Sequence, residues 1–224
     1  MTRGILLVGN ESTLLSSAAA EAVKRVESFS LAVIPNRFPL PDGVKPPKTK
    51  TNEKTIFLSW NPASPISARS LILAAENRMA KINDAVLVCS PPAVFKTAET
   101  LSPEEIEILA NDHIKGWFFL VRELSLYFRR TGSGTLSLVT PEPSNNSKSA
   151  QTDLLGLSAA ASFKTFAQGL LSQATGEPFQ VMGFTGSEAG TEEEFAAWFF
   201  KIIDEGERKN SGRWHKYAKR GFFR

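Results

Sequence analysis

The chain of 224 residues is long enough for one domain with a sizeable buried core, and its 42% apolar and 22% charged residues are ordinary for a globular protein. Its formal net charge of +3 is too small to argue for binding to nucleic acid or to an anionic membrane. The single cysteine, Cys89, excludes an internal disulfide and a cysteine-built zinc site, and two histidines are too few for a histidine-rich site, so we expect no metal.

Short apolar runs alternate along the chain with helical patterns. Seven strands are predicted, at residues 5–8, 30–34, 55–60, 85–89, 135–140, 179–184 and 213–217. Five helices are predicted between them, at residues 12–26, 64–80, 103–131, 153–173 and 191–206. This alternation indicates parallel strands with helical crossovers, and near-continuous apolar strands fit a sheet covered on both faces. The prediction is a single α/β domain over residues 1–224, a doubly wound, Rossmann-type parallel sheet of about seven strands with helices on both faces.

Three of the predicted helices begin with explicit capping signals. Ser64 is followed by Pro65, a capping residue before proline at the first helical position. Residues 102–105 (Ser-Pro-Glu-Glu) and 191–194 (Thr-Glu-Glu-Glu) are capping boxes. The helix at 103–131 also places seven side chains at three- and four-residue spacings, which predicts one buried stripe: Ile106, Leu109, His113, Trp117, Leu120, Leu124 and Tyr127.

Two further segments differ from the rest in composition. Residues 38–54 are rich in proline and lysine and are predicted to form a loop. Residues 207–224 are basic with interleaved aromatic side chains, and we predict a last strand followed by a tail. Such a mixture can grip nucleic acid, or it can dock on a second subunit, and we favour the second interpretation.

The N-terminal apolar run at residues 5–8 is shorter than that of a secretory signal. No stretch approaches the roughly 18 uninterrupted apolar residues that a membrane helix needs. We therefore expect a soluble, cytoplasmic protein that does not contact a membrane.

The first strand leads into the first helix through a turn that only partly matches a dinucleotide-binding fingerprint. Residues 8–15 read Val-Gly-Asn-Glu-Ser-Thr-Leu-Leu, so the first glycine is Gly9, whereas the next two glycine positions hold Thr13 and Leu15. Side chains there hinder a close approach of phosphates, although Asn10, Ser12 and Thr13 can still donate hydrogen bonds. The turn either binds a dinucleotide or serves only as a strand-to-helix connection in the fold, and we favour the second interpretation.

Arg37 follows the second strand, where the ribose of a bound adenosine would lie. An arginine at this point can pair with a 2′-phosphate and so favours NADP(H) over NAD. Alternatively, Arg37 is a solvated loop residue that binds no ligand.

Five segments between Ile82 and Phe184 suggest a family. They are residues 84–92 (Asp-Ala-Val-Leu-Val-Cys-Ser-Pro-Pro), 101–105 (Leu-Ser-Pro-Glu-Glu), 113–116 (His-Ile-Lys-Gly), 134–139 (Gly-Thr-Leu-Ser-Leu-Val) and 158–164 (Ser-Ala-Ala-Ala-Ser-Phe-Lys). In their order along the chain and in their residue types, these segments resemble the short-chain dehydrogenase/reductase family. Residues 84–92 match the family's fourth strand and the Asn-Asn-Ala-Gly turn after it, residues 101–105 match the start of its long fourth helix, and residues 113–116 match the Asn-x-x-Gly of that helix. Residues 134–139 match the strand that delivers the catalytic serine, and residues 158–164 match the Tyr-x-x-x-Lys segment.

The resemblance implies a Ser-Tyr-Lys carbonyl or alcohol oxidoreduction, yet two of those three groups are replaced. The family tyrosine transfers a proton, its serine hydrogen-bonds the substrate oxygen, and its lysine holds the nicotinamide ribose and lowers the tyrosine pKa. Here the tyrosine position is Ala160, and the serine position is Pro141, or Thr140 if the register slips by one residue. Lys164 alone is retained.

The candidate catalytic residues are therefore Lys164, His113 and Thr140. His113, in place of the helix asparagine, can act as an acid or base or can be a packed histidine with one hydrogen bond. Lys164 either holds a ribose or is a solvated helix lysine. If a dinucleotide binds, the resemblance implies that these residues line it: Gly9, Asn10, Ser12, Thr13, Arg37, Ser90, Lys164 and Thr185.

Three functions remain open at this stage. We favour a family-like protein without standard hydride transfer, acting as a binding or structural oligomer, and its cofactor is either none or NADP(H). The resemblance implies a homodimer or homotetramer formed through the helices at 103–131 and 153–173. The alternatives are a divergent NADP(H)-dependent oxidoreductase and, less favoured, a nucleic-acid-associated protein that uses the basic tail.

Overall fold

The computed structural model describes residues 3–27, 29–35, 37–38, 53–142, 153–186 and 190–218. Seven strands form one sheet in the order β3-β2-β1-β4-β5-β6-β7, and all neighbouring pairs are parallel. The strands are β1 Ile5–Asn10, β2 Phe29–Ile34, β3 Thr55–Phe57, β4 Asp84–Val88, β5 Thr135–Pro141, β6 Gln180–Gly186 and β7 Arg213–Tyr217. The predicted doubly wound sheet is confirmed.

The helices cover both faces of the sheet. They are α1 Thr13–Val23, α2 Pro65–Met79, α3 Pro103–Leu109, α4 Gly116–Thr131, α5 Leu154–Gln173 and α6 Glu192–Glu205. Apolar side chains of α1 and α6 form one core with the strands, and those of α2, α4 and α5 form the core on the opposite face. Because side chains alternate along a strand, Leu6 and Val8 face α4 whereas Leu7 faces α1.

The capping signals form as predicted. The Ser64 hydroxyl accepts a hydrogen bond from the Ser67 amide at the start of α2. Both capping boxes are complete, with reciprocal hydrogen bonds at residues 102–105 and 191–194. These local signals fix where three helices begin, and through them how the loops at the carboxyl edge of the sheet are anchored.

The helix predicted at 103–131 contains an interruption that the sequence pattern missed. A π-helical turn, Ala110–Lys115, joins α3 to α4. A π turn adds a residue to the helical repeat, and it therefore rotates the side chains of α3 about the helix axis relative to those of α4. α3 buries Leu109 at its C-terminal end, whereas Ile106, nearly one turn earlier, is 48% exposed, so the predicted place of Ile106 on the buried stripe is wrong. The remaining stripe residues from Leu109 to Tyr127 are buried.

The C-terminal segment adds the last strand of the sheet. β7 pairs with β6, the His215 ring stacks on Phe184 at 5.3 Å, and Tyr217 packs against Phe195 and Trp198. Residues 219–224 of the predicted tail and residues 39–52 of the predicted loop lie outside the described residues. Within the described ranges, none of the helices combines the length and apolar composition that a bilayer-spanning segment requires.

Candidate functional site

The candidate site lies at the carboxyl edge of the sheet, where the strand order reverses between β1 and β4. Open α/β sheets bind ligands at such a switch point. Gly9, Val88, Val139 and Phe184 form one laddered row across the four central strands. The next residue on each strand points to the α4 and α5 face and is buried: Asn10, Cys89, Thr140 and Thr185.

Asn10 connects the ends of β1 and β4 to the π-helical turn. Its Oδ1 accepts a hydrogen bond from the Ser90 amide at 2.9 Å, and its Nδ2 lies 2.7 Å from His113 Nδ1. Because Oδ1 faces an N–H donor, Nδ2 is the atom that donates to the imidazole, and the His113 proton therefore sits on Nε2. The predicted cofactor residue Asn10 has both ends of its amide engaged within the protein.

His113 is held in its neutral form. Burial and, secondarily, the positive charge of Arg37 lower the pKa of His113 from 6.5 to about 4. Its Nε2 is buried without a hydrogen-bond partner among the described residues. An imidazole with such a pKa is a weak base at neutral pH, which argues against the predicted acid or base role and for the packed alternative.

Asp112 precedes His113 in the π-helical turn and is fully buried. Arg37 Nε lies 3.1 Å from Asp112 Oδ2, but neither carboxylate oxygen has an aligned hydrogen-bond donor in the described part of the chain. Burial raises the pKa of Asp112, although the Arg37 charge acts in the opposite direction. The predicted 2′-phosphate ligand Arg37 is thus directed towards a carboxylate of its own chain, with 47% of its side chain exposed.

Gly9 is required by packing at the turn after β1. A Cβ atom at this position would lie 2.7 Å from Leu15 Cδ1 and 2.9 Å from the Val88 carbonyl oxygen. Ser12 caps α1 by accepting a hydrogen bond from the Leu15 amide at 3.1 Å, and Thr13 is exposed at the first helical position. The turn is well built for folding, and the Leu15 side chain fills the space that the third glycine of the fingerprint leaves open.

An apolar cluster covers the crevice from the β2 end to α5. It contains buried side chains from the segment after β2, the loop after β4, α3 and α5: Phe38, Val94, Leu109, Leu155 and Ala159. A dinucleotide that runs from the end of β2 across the switch point towards α5 would have to open this cluster. The crevice lining in the described part of the chain therefore does not fit a dinucleotide.

The remaining predicted catalytic residues lie apart from His113. Thr140 lies two strands away from Asn10, about 10 Å at normal strand spacing. Among the described residues, its hydroxyl makes one hydrogen bond, a long one of 3.4 Å to the Pro141 carbonyl oxygen. Lys164 lies one helical turn after Ala160 on the same face of α5, and its side chain is partly exposed. Within the described ranges, no hydrogen bond or ion pair joins any two of His113, Thr140 and Lys164.

Neither of the two tyrosines stands beside Lys164. The Tyr127 hydroxyl accepts a hydrogen bond from the Ile82 amide, just before β4 begins, at the opposite edge of the sheet. Tyr217 ends β7 and packs on α6. Cys89 is completely buried and burial raises the pKa of its thiol, which fits a core residue.

Sequence reasoning missed two parts of this site. Asp112 and Phe38 were not singled out, yet the first is the buried acid of the π-helical turn and the second is central to the apolar cluster. A polar Asp-His pair in the middle of an amphipathic helix is the signal that marks the first. The contact between Asn10 and His113 spans 103 residues and has no local signature.

No protein-family model and no curated protein sequence matches this chain. Solved structures do match it. A short-chain type dehydrogenase/reductase from Mycobacterium marinum has a TM-score of 0.75 at 10% identity, over 96% of this chain and 92% of that one. A 3-ketoacyl-(acyl-carrier-protein) reductase from Brucella melitensis, complexed with NADH, has a TM-score of 0.75 at 12% identity, over 96% of both chains. A short chain dehydrogenase from Mycobacterium smegmatis has a TM-score of 0.71 at 11% identity, over 98% of this chain and 94% of that one. The chain therefore has the fold of the short-chain dehydrogenases/reductases, as its sequence resemblance predicts.

Proposed function

We propose that this chain is a short-chain dehydrogenase/reductase-like protein that has lost the family's Ser-Tyr-Lys oxidoreduction and acts as a binding or structural oligomer. The observation that carries the proposal is the methyl group of Ala160, one helical turn before Lys164, where the resemblance requires a proton donor. A methyl group transfers no proton, and both tyrosine hydroxyls of the chain lie elsewhere.

The packing of the crevice supports the same proposal. Asn10 and His113 bond to each other, Arg37 faces Asp112, and Phe38 lies in the apolar cluster. Both ends of the Asn10 amide and the Nδ1 atom of His113 are thus engaged within the protein. A site kept for hydride transfer needs a proton donor beside the nicotinamide, and neither tyrosine hydroxyl lies beside Lys164.

The oligomer is proposed through the predicted helices at 103–131 and 153–173. The Phe118 ring of α4 packs at a tilt of 30° on Phe166 of α5, with ring centroids 4.1 Å apart, although Phe118 is 47% exposed. A groove of about 760 Å³ beside this pair is lined mostly by small residues of α5: Ser158, Ala161, Ser162, Thr165 and Gly169. Small side chains let a partner helix approach closely, which favours a symmetric dimer or tetramer.

The experiment is an absorbance assay of NADH and NADPH oxidation over a panel of aldehydes and ketones. The proposal predicts no oxidation above that of the Lys164→Ala variant. Turnover that Lys164→Ala abolishes, and that the α6 surface variant Lys201→Ala retains, would overturn it. Light scattering at micromolar concentration tests the oligomer, which we expect Phe118→Asp to dissociate.

A divergent NADP(H)-dependent oxidoreductase is the second candidate, favoured by the half-exposed guanidinium of Arg37 after β2. It predicts that millimolar NADPH raises the Tm, and that Arg37→Ala removes this shift, because ligand binding to the native state stabilises it. An unchanged Tm at millimolar NADPH would dismiss this candidate.

A further inference from the structure

Helices α2 and α4 lie side by side and leave a groove of about 480 Å³ between them. Buried Ile72 and Tyr127 contribute to its lining. Three large apolar residues on its walls are exposed, namely Ile66 (78%), Leu73 (46%) and Leu126 (48%). Exposed apolar side chains that gather along one groove mark an interaction surface, whereas the same residues scattered singly would not.

The spacing of these residues suits a helix. Ile66 and Leu73 are seven residues apart on α2, which is two turns or about 10 Å. A docked amphipathic helix presents apolar side chains at positions i, i+3 or i+4, and i+7, over the same length. Leu126 stands on the opposite wall, so such a helix would contact apolar side chains on both sides.

The rim of the groove is positively charged. Arg69 lies on the α2 wall, and Arg122 and Arg130 lie on the α4 wall, against one lining carboxylate, that of Glu123. Arg122 pairs with Glu123 and Arg130 with Glu76, but both guanidinium groups stay mostly exposed. Arg69 has no ion-pair partner among the described residues. Because Arg122 and Arg130 are each paired with a carboxylate, the surplus is one positive charge, that of Arg69, and it is available to a carboxylate of a partner.

We propose that the α2/α4 groove binds an acidic amphipathic helix of a partner protein. Its apolar residues would pack on Ile66, Leu73 and Leu126, and Asp or Glu residues flanking them would pair with the arginines. A second copy of this chain fits less well, because a two-fold contact would place two positive rims opposite each other. The proposal is independent of the crevice and of its chemistry.

The test uses two synthetic helical peptides of equal length with the same leucine spacing. One carries glutamate and the other lysine on both flanks of the leucine stripe, and binding to the full chain is followed by fluorescence anisotropy. We expect the glutamate peptide to bind at micromolar Kd and the lysine peptide about tenfold more weakly, a difference that added salt reduces. Equal affinity of the two peptides, or no binding of either, would overturn the proposal.

Variants locate the binding. We expect Leu73→Ser with Leu126→Ser to raise the Kd of the glutamate peptide about tenfold, and Arg69→Glu to reduce the preference for glutamate over lysine. Phe57→Ser on edge strand β3, where Phe57 is 59% exposed outside the groove, is the matched control and should change nothing. The proposal fails if these variants bind as the wild type does. It also fails if they abolish a concentration-dependent self-association instead, which would assign the groove to a second copy.

Discussion

Acidification should destabilise this protein through His113 in particular. The folded chain holds the His113 pKa near 4, whereas an unfolded chain titrates a histidine near 6.5. Above pH 6.5 both states are neutral and the group has no effect on stability. Below it the unfolded state gains a proton that the folded state does not, so the free energy of unfolding falls as the pH drops from 6.5 towards 4.

The size of this effect is set by the same two values. The difference between 6.5 and about 4, at about 1.4 kcal/mol per pH unit, corresponds to about 3 kcal/mol lost over the window. Asp112 acts the other way, because its raised pKa means that the folded state takes up a proton more readily as the pH falls. Comparison with a His113 variant removes the contribution of Asp112 to first order.

The assay is urea unfolding from pH 7.5 to 4 for the wild type and for His113→Gln, whose amide can still accept the hydrogen bond from Asn10. We expect the free energy of unfolding of the wild type to fall by about 3 kcal/mol relative to that of His113→Gln as the pH falls, because only the wild type carries the linkage. His215→Gln retains His113 and serves as the control. Parallel curves for wild type and His113→Gln would refute the buried, neutral imidazole.

Three substitutions test the local packing by urea unfolding. Gly9→Ala should lower the free energy of unfolding by about 1–3 kcal/mol, because the new methyl group meets Leu15 Cδ1 at 2.7 Å. Its control is Gly169→Ala in the interior of α5, where nothing lies within 4 Å and the substitution should stabilise by up to about 1 kcal/mol. Equal effects of the two substitutions would contradict the crowding at Gly9. Asn10→Ala should cost about 2–4 kcal/mol, because it leaves the buried His113 Nδ1 and the part-buried Ser90 amide without partners; a loss below about 1 kcal/mol would argue against these two hydrogen bonds. Ser102→Ala should cost about 1 kcal/mol through the lost cap, and an unchanged midpoint would contradict the capping box.

The fold could be predicted because its signals are local. Alternation of short apolar runs with capped helices gives parallel strands, and the capping boxes at 102–105 and 191–194 form as the sequence suggests. The buried face of a helix is also predicted from local spacing, but that prediction assumes a constant number of residues per helical turn. The π-helical turn at Ala110–Lys115 breaks the assumption. The pattern also does not reveal that α3 buries Leu109 and leaves Ile106 exposed.

The candidate site was harder to predict because it depends on contacts between distant segments. The bond between Asn10 and His113, and the meeting of Phe38 with the start of α5, depend on how the crossovers return to the sheet. The absence of a phenol next to Lys164, by contrast, is visible in the sequence once the resemblance aligns Ala160 with the tyrosine. The predicted roles of Lys164 and Thr140 stay predictions.

Transfer of deuterium from (4-²H)NADPH to a carbonyl substrate, measured by mass spectrometry with the chain in molar excess, tests the loss of oxidoreduction most directly. Because it detects a single transfer per chain, it registers chemistry too slow for an absorbance assay. We predict no more deuterated alcohol than with protein-free buffer. Deuterated alcohol that forms with the wild type and disappears with Lys164→Ala would show that the hydride still moves, and would contradict the account.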